Sequence, residues 1–568
     1  MKRMFSLLLA VLMLAGCAAP SVQESEPAVY PELVQNRTEE VPYESRFDTE
    51  TVIVLSDEGI TVNGGEETDS VYSSHDIIYY EEKTAYDSGY PYGEGTEADM
   101  HSADEAAAHT VVNITSPGAY RVSGKLSAGQ IRIDLGEDAY EDEAAVVELI
   151  LDGADITCTV APAVLFLNVY ECDGEWSADT AQSVVDTSEA GANLILEGEN
   201  TVSGAYVAKI FKDKEGEKKL WKQDGAIYSY MSMNVYGPGS LDLTAANEGL
   251  DTELHLTING GNIAIRSDND GINTNEDGVS VTTINAGNLH IIAGLGEEGD
   301  GIDSNGFLVI NGGTVVAAAN PAADAGLDSD MGSFINGGTV MALGSTMDWA
   351  ESDSDQVTMN LQFASFQSSG SAIVVTQDNG TVAFAYDPSE DEVLGSNTRK
   401  YQGAIISSAN LIQGCPYYVF MDGTVTGSET GGMYDVTTVT GYSGGSRMMY
   451  TGTDVMQHIG TVTGHAPGVL PGTPGPQGDW EKPDDRGENF RIPEGETAPE
   501  GFRPGTDFGG EPPEGELPTL PEGETMPEGF DPGGMAGQSP MGGAEGEGNT
   551  LFYMQDKVNF FSGLTAAE

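Results

Sequence analysis

A short motif that occurs four times in the sequence places acidic and amide side chains at fixed positions. Each copy runs glycine, apolar residue, acid or amide, hydroxyl residue, then a second acid or amide, as in residues 248–253 and 270–275. Alternate side chains of a strand point to opposite faces, so an inward apolar column would leave two oxygen-rich columns facing outward. The first comprises Asp251, Asn273, Asp303 and Asp328, and the second Glu253, Asn275, Asn305 and Asp330.

These columns have the chemistry of a calcium site. Stacked strands lie about 4.8 Å apart, and carboxylates at that spacing repel one another unless an amide or a cation separates them. Ca²⁺ accepts carboxylate, amide and backbone oxygens in loose geometry. The sequence therefore predicts structural Ca²⁺ and no organic cofactor, with candidate ligands Asp251, Asn273, Asp303, Asp328, Glu248, Asp270 and Asp300. The alternative is a hydrated ladder in which Asn and Asp close backbone turns.

Acidic residues also allow an enzymatic interpretation. A glycan hydrolase could use two carboxyl groups, with Asp300, Asp303 and Asp328 as the candidates. A polysaccharide lyase needs a strong base, but Arg266 is the only Lys or Arg between Gly225 and Arg399. Because these acids repeat with the motif, a structural role explains them without catalysis. The sequence thus favours a non-enzyme and assigns no catalytic residue.

Aromatic residues at both ends of the repeated region are candidates for sugar binding. Sugars present apolar faces beside hydroxyl groups, so their sites combine aromatic rings with polar side chains. Tyr228, Tyr230 and Tyr236 alternate before the first copy, and Trp349 follows the last copy beside Asp348. Packing in the core is the alternative for each of them.

A second periodic feature indicates which elements position these residues. Turns of the type Ile-Asn-Gly-Gly or Ile-Asn-Ala-Gly contain Asn259, Asn285, Asn311 and Asn336, spaced 26, 26 and 25 residues apart. Each turn precedes an apolar strand-like segment, so each coil of about 25 residues holds two strands. Such a coil can bury its apolar side only by stacking on its neighbours. The predicted fold is all-β, a right-handed parallel β-helix over residues 116–347.

Composition changes divide the rest of the chain. The predicted parts are a signal peptide (1–16), a flexible tether (17–49), a small α+β cap (50–115), a C-terminal β region (348–465), a disordered Pro/Gly/Glu-rich linker (466–547) and a C-terminal segment that docks on the body (548–568).

The N-terminus predicts export and a lipid anchor. Lys2 and Arg3 precede an apolar run that ends in Leu-Ala-Gly-Cys, which is similar to the lipobox of bacterial lipoproteins. Cys17 would carry the lipid, and no other segment is long and apolar enough to span a bilayer. The predicted location is the cell surface, anchored to the bacterial cell membrane or outer membrane.

Charge and cysteine content limit the partners. The formal net charge is −68, which excludes nucleic acid as a partner because a basic face is needed to displace phosphate counterions. Cys158 and Cys172 form a candidate disulfide, although three free thiols with Cys415 are equally compatible with the sequence.

The sequence resembles a family of bacterial surface proteins, the carbohydrate-binding domain-containing proteins. The resemblance covers roughly residues 51–463 and rests on HDIIYYE (75–81), YGEGTEADMHSADEAAAHT (92–110), DGADITCTVAPAV (152–164), NEGLDTELHLTINGG (247–261), NDGINTNEDGVSVTTIN (269–285) and GDGIDSNGFLVINGGTV (299–315). It implies a secreted, often lipid-anchored β-helical body that binds carbohydrate. The favoured hypothesis is a non-catalytic module that binds polysaccharide or glycan with the help of Ca²⁺. The alternatives are a polysaccharide-degrading enzyme and a structural adhesin or spacer.

Overall fold

The structure is a computed structural model that describes residues 28–35, 40–81, 95–174, 177–211, 220–345, 348–396, 398–453 and 548–567. The predicted signal peptide, Cys17 and the predicted linker lie outside these residues. The described chain is nearly all β, with one five-residue α-helix and three short 3-10 helices. The predicted all-β class is therefore confirmed.

The first strands and the helix lie between residues 50 and 114. They are β1 (Glu50–Leu55), β2 (Thr61–Val62), β3 (Val71–Ser74), a 3-10 helix (Glu97–Asp99), α1 (Ala103–Ala107) and β4 (Thr110–Ile114). Ser102 caps α1, because its hydroxyl accepts the Glu105 backbone N–H at 3.2 Å.

The body follows, with one further 3-10 helix at Glu137–Glu141. Its strands are β5 (Gly118–Leu126), β6 (Gly129–Asp134), β7 (Val147–Thr157), β8 (Val164–Asn168), β9 (Ala192–Glu197), β10 (Glu199–Gly204), β11 (Val207–Phe211), β12 (Leu220–Gln223), β13 (Gly225–Ser229), β14 (Met233–Tyr236), β15 (Ser240–Ala245), β16 (Glu248–Thr252), β17 (Leu256–Ile258), β18 (Asn262–Ser267), β19 (Ile272–Thr274), β20 (Val281–Ile284), β21 (Asn288–Ile292), β22 (Phe307–Ile310), β23 (Thr314–Ala318), β24 (Gly332–Ile335) and β25 (Thr339–Gly344).

The C-terminal part contains mainly antiparallel strands and the third 3-10 helix, Val436–Thr438. The strands are β26 (Thr358–Ser368), β27 (Ile373–Gln377), β28 (Val382–Tyr386), β29 (Lys400–Ser408), β30 (Pro416–Met421), β31 (Thr424–Thr426), β32 (Glu429–Thr430), β33 (Met433–Tyr434), β34 (Gly441–Ser443), β35 (Ser446–Met449), β36 (Phe552–Tyr553) and β37 (Val558–Ala566).

The body strands form three stacks of parallel neighbours. Stack 1 is β1, β5, β7, β10, β15, β18, β21, β23 and β25. Stack 2 is the first half of β7 followed by β9, β14, β17, β20, β22 and β24. Stack 3 is β4, β6, β8, β13, β16 and β19, continued by parallel bridges through Ile302 and Leu327. From β14 onward the chain visits stacks 2, 1 and 3 in turn.

The repeated turns lie directly above one another. In stack 1, Asn262, Asn288, Thr314 and Thr339 are partners in successive strands. Asn side chains of the preceding turns donate to one another at 2.9, 3.0 and 3.0 Å, from Asn285 to Asn259, Asn311 to Asn285 and Asn336 to Asn311. The amide NH₂ group of each Asn thus pairs with the amide oxygen of the Asn in the preceding coil, which fixes the register of the coils.

Apolar columns fill the space between the stacks. Leu250, Ile272, Ile302 and Leu327 are all fully buried. The inward orientation predicted for this column is therefore correct, and it holds the acidic residues of the motif on the other face of stack 3.

The C-terminal part closes the last coil with mixed pairing. β25 pairs antiparallel with β29, β29 pairs antiparallel with β26, and β26 pairs parallel with β37. The segment predicted to dock thus contributes a strand to this region, and Tyr553 of β36 is the partner of Pro416 in β30. These pairings leave stack 1 without a free edge at this end.

The described part of the predicted flexible tether lies against the body. Val34 exchanges two hydrogen bonds with the Asn410 side chain, at 2.7 and 2.9 Å. Farther along, the Val41 N–H donates to the Asn259 carbonyl at 2.8 Å, and the Arg46 N–H donates to Glu148 at 2.8 Å. Residues 28–35 and 40–49 therefore form a strap that contacts the body, whereas the sequence predicts a free tether.

The candidate disulfide between Cys158 and Cys172 is also wrong. Cys158, Cys172 and Cys415 are free in the structure. Cys158 is buried in the core of the body, where burial raises the pKa of its thiol to about 11. Cys172 instead lies beside Glu171 at 3.6 Å. The two thiols therefore occupy separate environments, each with its own partners.

Candidate functional site

An acidic cluster lies on stack 3, where a hairpin brings a lysine against it. The hairpin consists of β11 and β12, which pair antiparallel. Lys222 is near its end, Asp224 follows it, and β13 begins at Gly225. A methyl group on Gly225 would lie 2.5 Å from the Asp251 Cβ, so glycine is what lets Asp224 approach the neighbouring strand.

Three carboxylates meet at this point. One oxygen each from Asp224, Glu248 and Asp251 lies within 4.8 Å of the other two. Glu248 and Asp251 are 6% and 0% exposed. Sequence reasoning included Glu248 and Asp251 but missed Asp224, because that residue precedes the first copy of the motif. Its adjacency to Gly225 at the start of a strand was the available signal.

Several oxygen atoms of the cluster have no hydrogen-bond donor. These are Oε2 of Glu248, Oδ2 of Asp251 and Oδ1 of Asn273, each on a residue more than nine-tenths buried. Such an atom, withdrawn from water without a partner, costs about 1–3 kcal/mol. A cation bound among the converging carboxylates would compensate buried oxygen atoms of this kind.

The pKa values of the cluster carboxyl groups also indicate that their negative charges are not fully compensated. Burial, reinforced by the nearby Asp224 carboxylate, raises the pKa of Glu248 to about 7. Burial and the Glu248 charge raise the pKa of Asp251 well above its ordinary value. Around neutral pH the cluster therefore holds its charges at a cost unless protons or a cation compensate them.

Lys222 supplies part of that compensation. Its ammonium lies 3.0 Å from the Asp224 carboxylate and donates to the Asn275 Oδ1 atom at 2.8 Å. Burial opposes its charge, but Asp224, Asp251 and Glu248 outweigh that effect and raise the pKa of Lys222. One ammonium against three carboxylates leaves an excess of two negative charges, which matches a divalent cation.

The outward orientation predicted for the first acidic column is only partly correct. Asp251 and Asn273 face away from the apolar column, but they are buried beside Lys222. Asp303 and Asp328, farther along the same column, are half-buried. Burial and the Asp328 charge raise the pKa of Asp303 well above its ordinary value. The column thus changes from covered to accessible along the stack.

The turn acids Asp270 and Asp300 contact backbone. Asp270 accepts the Asp300 N–H at 2.7 Å, and Asp300 accepts the Ala325 N–H at 2.6 Å. Each carboxylate therefore caps the start of the next coil. The hydrated-ladder alternative, in which acids close turns, describes these two residues better than the metal-ligand hypothesis does.

The aromatic residues proposed as sugar contacts lie inside the protein. Tyr228 and Tyr230 are 0% and 2% exposed, and Tyr236 and Trp349 are 9% and 8% exposed. The Tyr228 and Tyr230 rings pack edge to face at 5.1 Å. These four side chains offer no ring face to a sugar. The packing alternative is correct: Tyr228 is the strand partner of Asp251 on the acidic face, and Tyr236 is covered by the ring of Tyr43.

Two other aromatic rings lie half-buried on the outer face of stack 2. Phe307 in β22 and Phe334 in β24 have ring centroids 6.4 Å apart. A methyl group on Gly332, the strand partner of Phe307, would lie 3.3 Å from the Phe334 ring and 2.9 Å from the Glu351 side chain. An aromatic pair beside a carboxylate is suited to sugar stacking. Sequence reasoning missed the pair, although both residues lie in repeated strands that are partners in register.

The fold and the cluster define an all-β repeat protein with a buried acidic site and an aromatic pair on one face. Residues 108–387 match the family model of the carbohydrate-binding domain-containing proteins. The predicted resemblance is thereby confirmed: this part of the chain, just under half of it, is similar to the carbohydrate-binding domain-containing proteins.

Two known proteins are similar to this chain. A carbohydrate-binding domain-containing protein of Acetivibrio thermocellus is 30% identical over 157 residues, which are 28% of this chain and 45% of that protein. The chain thus spans less than half the length of this relative. A solved polysaccharide lyase-like protein from C. thermocellum, in a gadolinium derivative, is 20% identical and covers 50% of this chain and 91% of its own, with a TM-score of 0.30.

Among the described residues, no helix has the length and apolar character needed to cross a bilayer.

Proposed function

We propose that this protein is a cell-surface lipoprotein whose body binds carbohydrate without cleaving it and contains structural Ca²⁺. The observation that carries the proposal is the family match over residues 108–387. This range contains every strand of the three stacks except β1. The chemistry of the acidic cluster and the aromatic pair supports its finer parts.

The body is proposed to be a right-handed parallel β-helix. Parallel neighbours in three stacks, visited in the constant order 2, 1 and 3, are what a winding coil produces. Crossovers between parallel strands are nearly always right-handed, because strand twist favours that hand. The coils then present flat outer faces of neighbouring strands, which suit an extended polymer.

Calcium is proposed to bind among Asp224, Glu248 and Asp251. The donors are oxygen only, which favours Ca²⁺ over zinc or copper. The Asn273 Oδ1 atom, which has no donor, adds a neutral ligand. Such an ion would hold β13, β16 and β19 together, since each strand contributes to the cluster or flanks it.

The sugar is proposed to stack on Phe307 and Phe334. A glycan array with the soluble body, run with Ca²⁺ and with EDTA, identifies the ligand. Phe334→Ala should weaken binding to the positive glycans about tenfold, because the stacking of a sugar on one aromatic ring contributes roughly 1 kcal/mol or more to the free energy of binding. Phe366→Ala is the matched control, since Phe366 is 48% exposed and lies in β26. Equal losses for both variants would reject this platform, and binding to no glycan would leave the structural adhesin or spacer.

The lipid anchor is a separate part of the proposal. Expression with the native N-terminus and a Cys17→Ser control tests it by membrane fractionation. The native protein should pellet with membranes and the control should not. Membrane retention of Cys17→Ser would reject Cys17 as the attachment point.

A glycan-cleaving enzyme is the second candidate, because Lys222 places an amine beside carboxylates. The raised pKa of Lys222 keeps it protonated at neutral pH, and an ammonium has no lone pair with which to abstract a proton. Binding without turnover is therefore expected. Formation of unsaturated products or reducing ends from a bound glycan, lost in Lys222→Gln, would establish the enzyme instead.

A further inference from the structure

We propose that the lipid anchor holds the body by its C-terminal end, so that the β26–β37 region faces the membrane and the β1 end points away from it. The inference rests on the proposed lipidation of Cys17. It follows from the strap, residues 28–35 and 40–49, which runs along the body in the direction opposite to the coils.

The strap begins on the C-terminal part. The Tyr30 ring packs edge to face on Tyr417 at 5.7 Å, and its hydroxyl donates to the Pro416 carbonyl at 2.5 Å. Two hydrogen bonds join Val34 to Asn410, one from the Val34 N–H and one to its carbonyl. Residues 30–34 are thus fastened to the β29–β30 connection.

The strap next crosses the middle of the body. The Val41 N–H donates to the Asn259 carbonyl at 2.8 Å, in the turn after β17. The Tyr43 ring packs on the Tyr236 ring with centroids 4.6 Å apart. Tyr236 ends β14, one coil before Asn259, so the strap has moved one coil toward the start of the body.

The strap ends on the first coils. The Ser45 hydroxyl and the Arg46 N–H donate to the two Glu148 oxygens at 2.6 and 2.8 Å, in β7. Phe47 packs against the apolar cluster that contains Ala119 and Ile150. Directly afterwards β1 pairs parallel with β5. The contacts therefore follow one another in the reverse of coil order.

The length of the body and the length of the chain before the strap relate this order of contacts to the position of the lipid anchor. Stack 1 has eight steps from β1 to β25, which span about 38 Å at 4.8 Å per step. Cys17 precedes Ala28 by eleven residues, which reach at most about 40 Å when fully extended. Only a fully extended path along the whole body would bring Cys17 level with β1, and every shorter path leaves the anchor nearer the β29–β30 connection, although in sequence it is closer to β1.

Fluorescence quenching on vesicles tests the orientation. The full-length lipidated protein, with Cys172→Ser to remove its half-buried thiol, carries one dye at Gln413→Cys or at Glu58→Cys; both positions are exposed. The vesicles are phosphatidylcholine with a rhodamine lipid as quencher. Quenching at position 413 should exceed that at position 58 at least twofold. Equal quenching, or stronger quenching at 58, would overturn the proposal.

Two controls separate the causes. Tyr30→Ala combined with Asn410→Ala should release the strap and reduce the difference between the positions, while Tyr72→Ala, an exposed tyrosine elsewhere, should preserve it. An undiminished difference after release would contradict the strap mechanism. Vesicle flotation reports anchoring separately: protein that fails to float disproves the anchor and this orientation, and leaves glycan binding by the soluble body untouched.

Discussion

The same turn position of the repeated motif does different work in neighbouring coils. Glu248 occupies it in the first coil, with its Oε2 atom buried and lacking a donor. Asp270 and Asp300 occupy it in the next two coils, and each accepts the first N–H of the following coil. The first acid is thus open to a ligand, and the later two are engaged by the backbone.

The difference arises from what lies beside each turn. Glu248 faces Asp224 and Lys222, which belong to the hairpin and strand before the repeat, whereas Asp270 and Asp300 face further copies of their own motif. The repeat therefore determines where each acidic side chain lies, but the residues packed around each copy determine whether its carboxylate can bind a ligand.

The comparison is tested most strongly by calcium itself. At a Ca²⁺ concentration of 100 times the Kd, binding to the folded state should stabilise the protein by about 2.7 kcal/mol. Thermal unfolding with Ca²⁺ and with EDTA measures the effect. Combined Glu248→Gln and Asp251→Asn should abolish the rise in Tm, whereas Asp242→Asn, on an exposed residue of stack 1, should keep it. An unchanged Tm on chelation of the native protein would refute structural Ca²⁺.

The open cluster should also make stability depend on pH in the absence of Ca²⁺. The pKa of Glu248 is raised in the folded state from its ordinary 4.5 to about 7. The folded state then binds more protons than the unfolded state between these values, so the free energy of unfolding falls as pH rises through this range. Urea titrations in EDTA should show a loss on the order of 1–3 kcal/mol from pH 5 to pH 8. Glu248→Gln should flatten the profile; a rise in stability over the same range would contradict the assignment.

The engaged acids should behave differently. Asp300→Ala leaves the Ala325 N–H without its acceptor and should cost about 1–2 kcal/mol in urea unfolding. Asp300→Asn retains a carbonyl oxygen and should cost less, and Glu298→Ala, on a neighbouring exposed acid, should cost little. The Ca²⁺ response should persist in all three. Its loss in Asp300→Asn would place Asp300 in the metal site and remove the contrast between the two turns.

The smallest effect is expected from the lysine. Lys222→Gln removes a positive charge beside the proposed ion and should tighten Ca²⁺ binding roughly threefold to tenfold, as expected for about 1 kcal/mol of repulsion. Isothermal titration measures the Kd. Lys125→Gln is the control, because the Lys125 side chain is 59% exposed and pairs with Asp155 on stack 1. Weaker binding in Lys222→Gln would mean that the lysine positions the carboxylates.

Much of the fold could be predicted from the spacing of the repeated residues in the sequence. The 26-residue interval of the Asn turns predicted stacked parallel strands, and Asn262, Asn288 and Thr314 are partners in register. Periodic residues contact their own copies, so a local pattern carries long-range information. The candidate site was predicted in part for the same reason: Glu248 and Asp251 belong to the repeat.

The remaining features come from residues outside the repeat. Lys222 and Asp224 enter the site through a hairpin whose docking has no periodic signature. The strap was predicted to be flexible because prolines and polar residues dominate its composition, yet Tyr30, Tyr43 and Phe47 each find an apolar partner on the body. The spacing of the sugar-contact candidates Tyr228 and Tyr236 in the sequence also could not predict that both would be buried.

The sequence by itself determined the all-β class, the family resemblance, the coil length and which face of each repeated strand is apolar, because all of these follow from periodicity and local motifs. The tertiary structure alone decided which acids lie open, which are engaged by backbone, and that the N-terminal chain returns along the body. The reason is physical: the charge state and accessibility of a side chain depend on every group packed around it, and those groups here lie far apart in the chain. The charge excess of the sequence is thus located in part at Asp224, Glu248 and Asp251, where Lys222, among the described residues, offsets one of the negative charges.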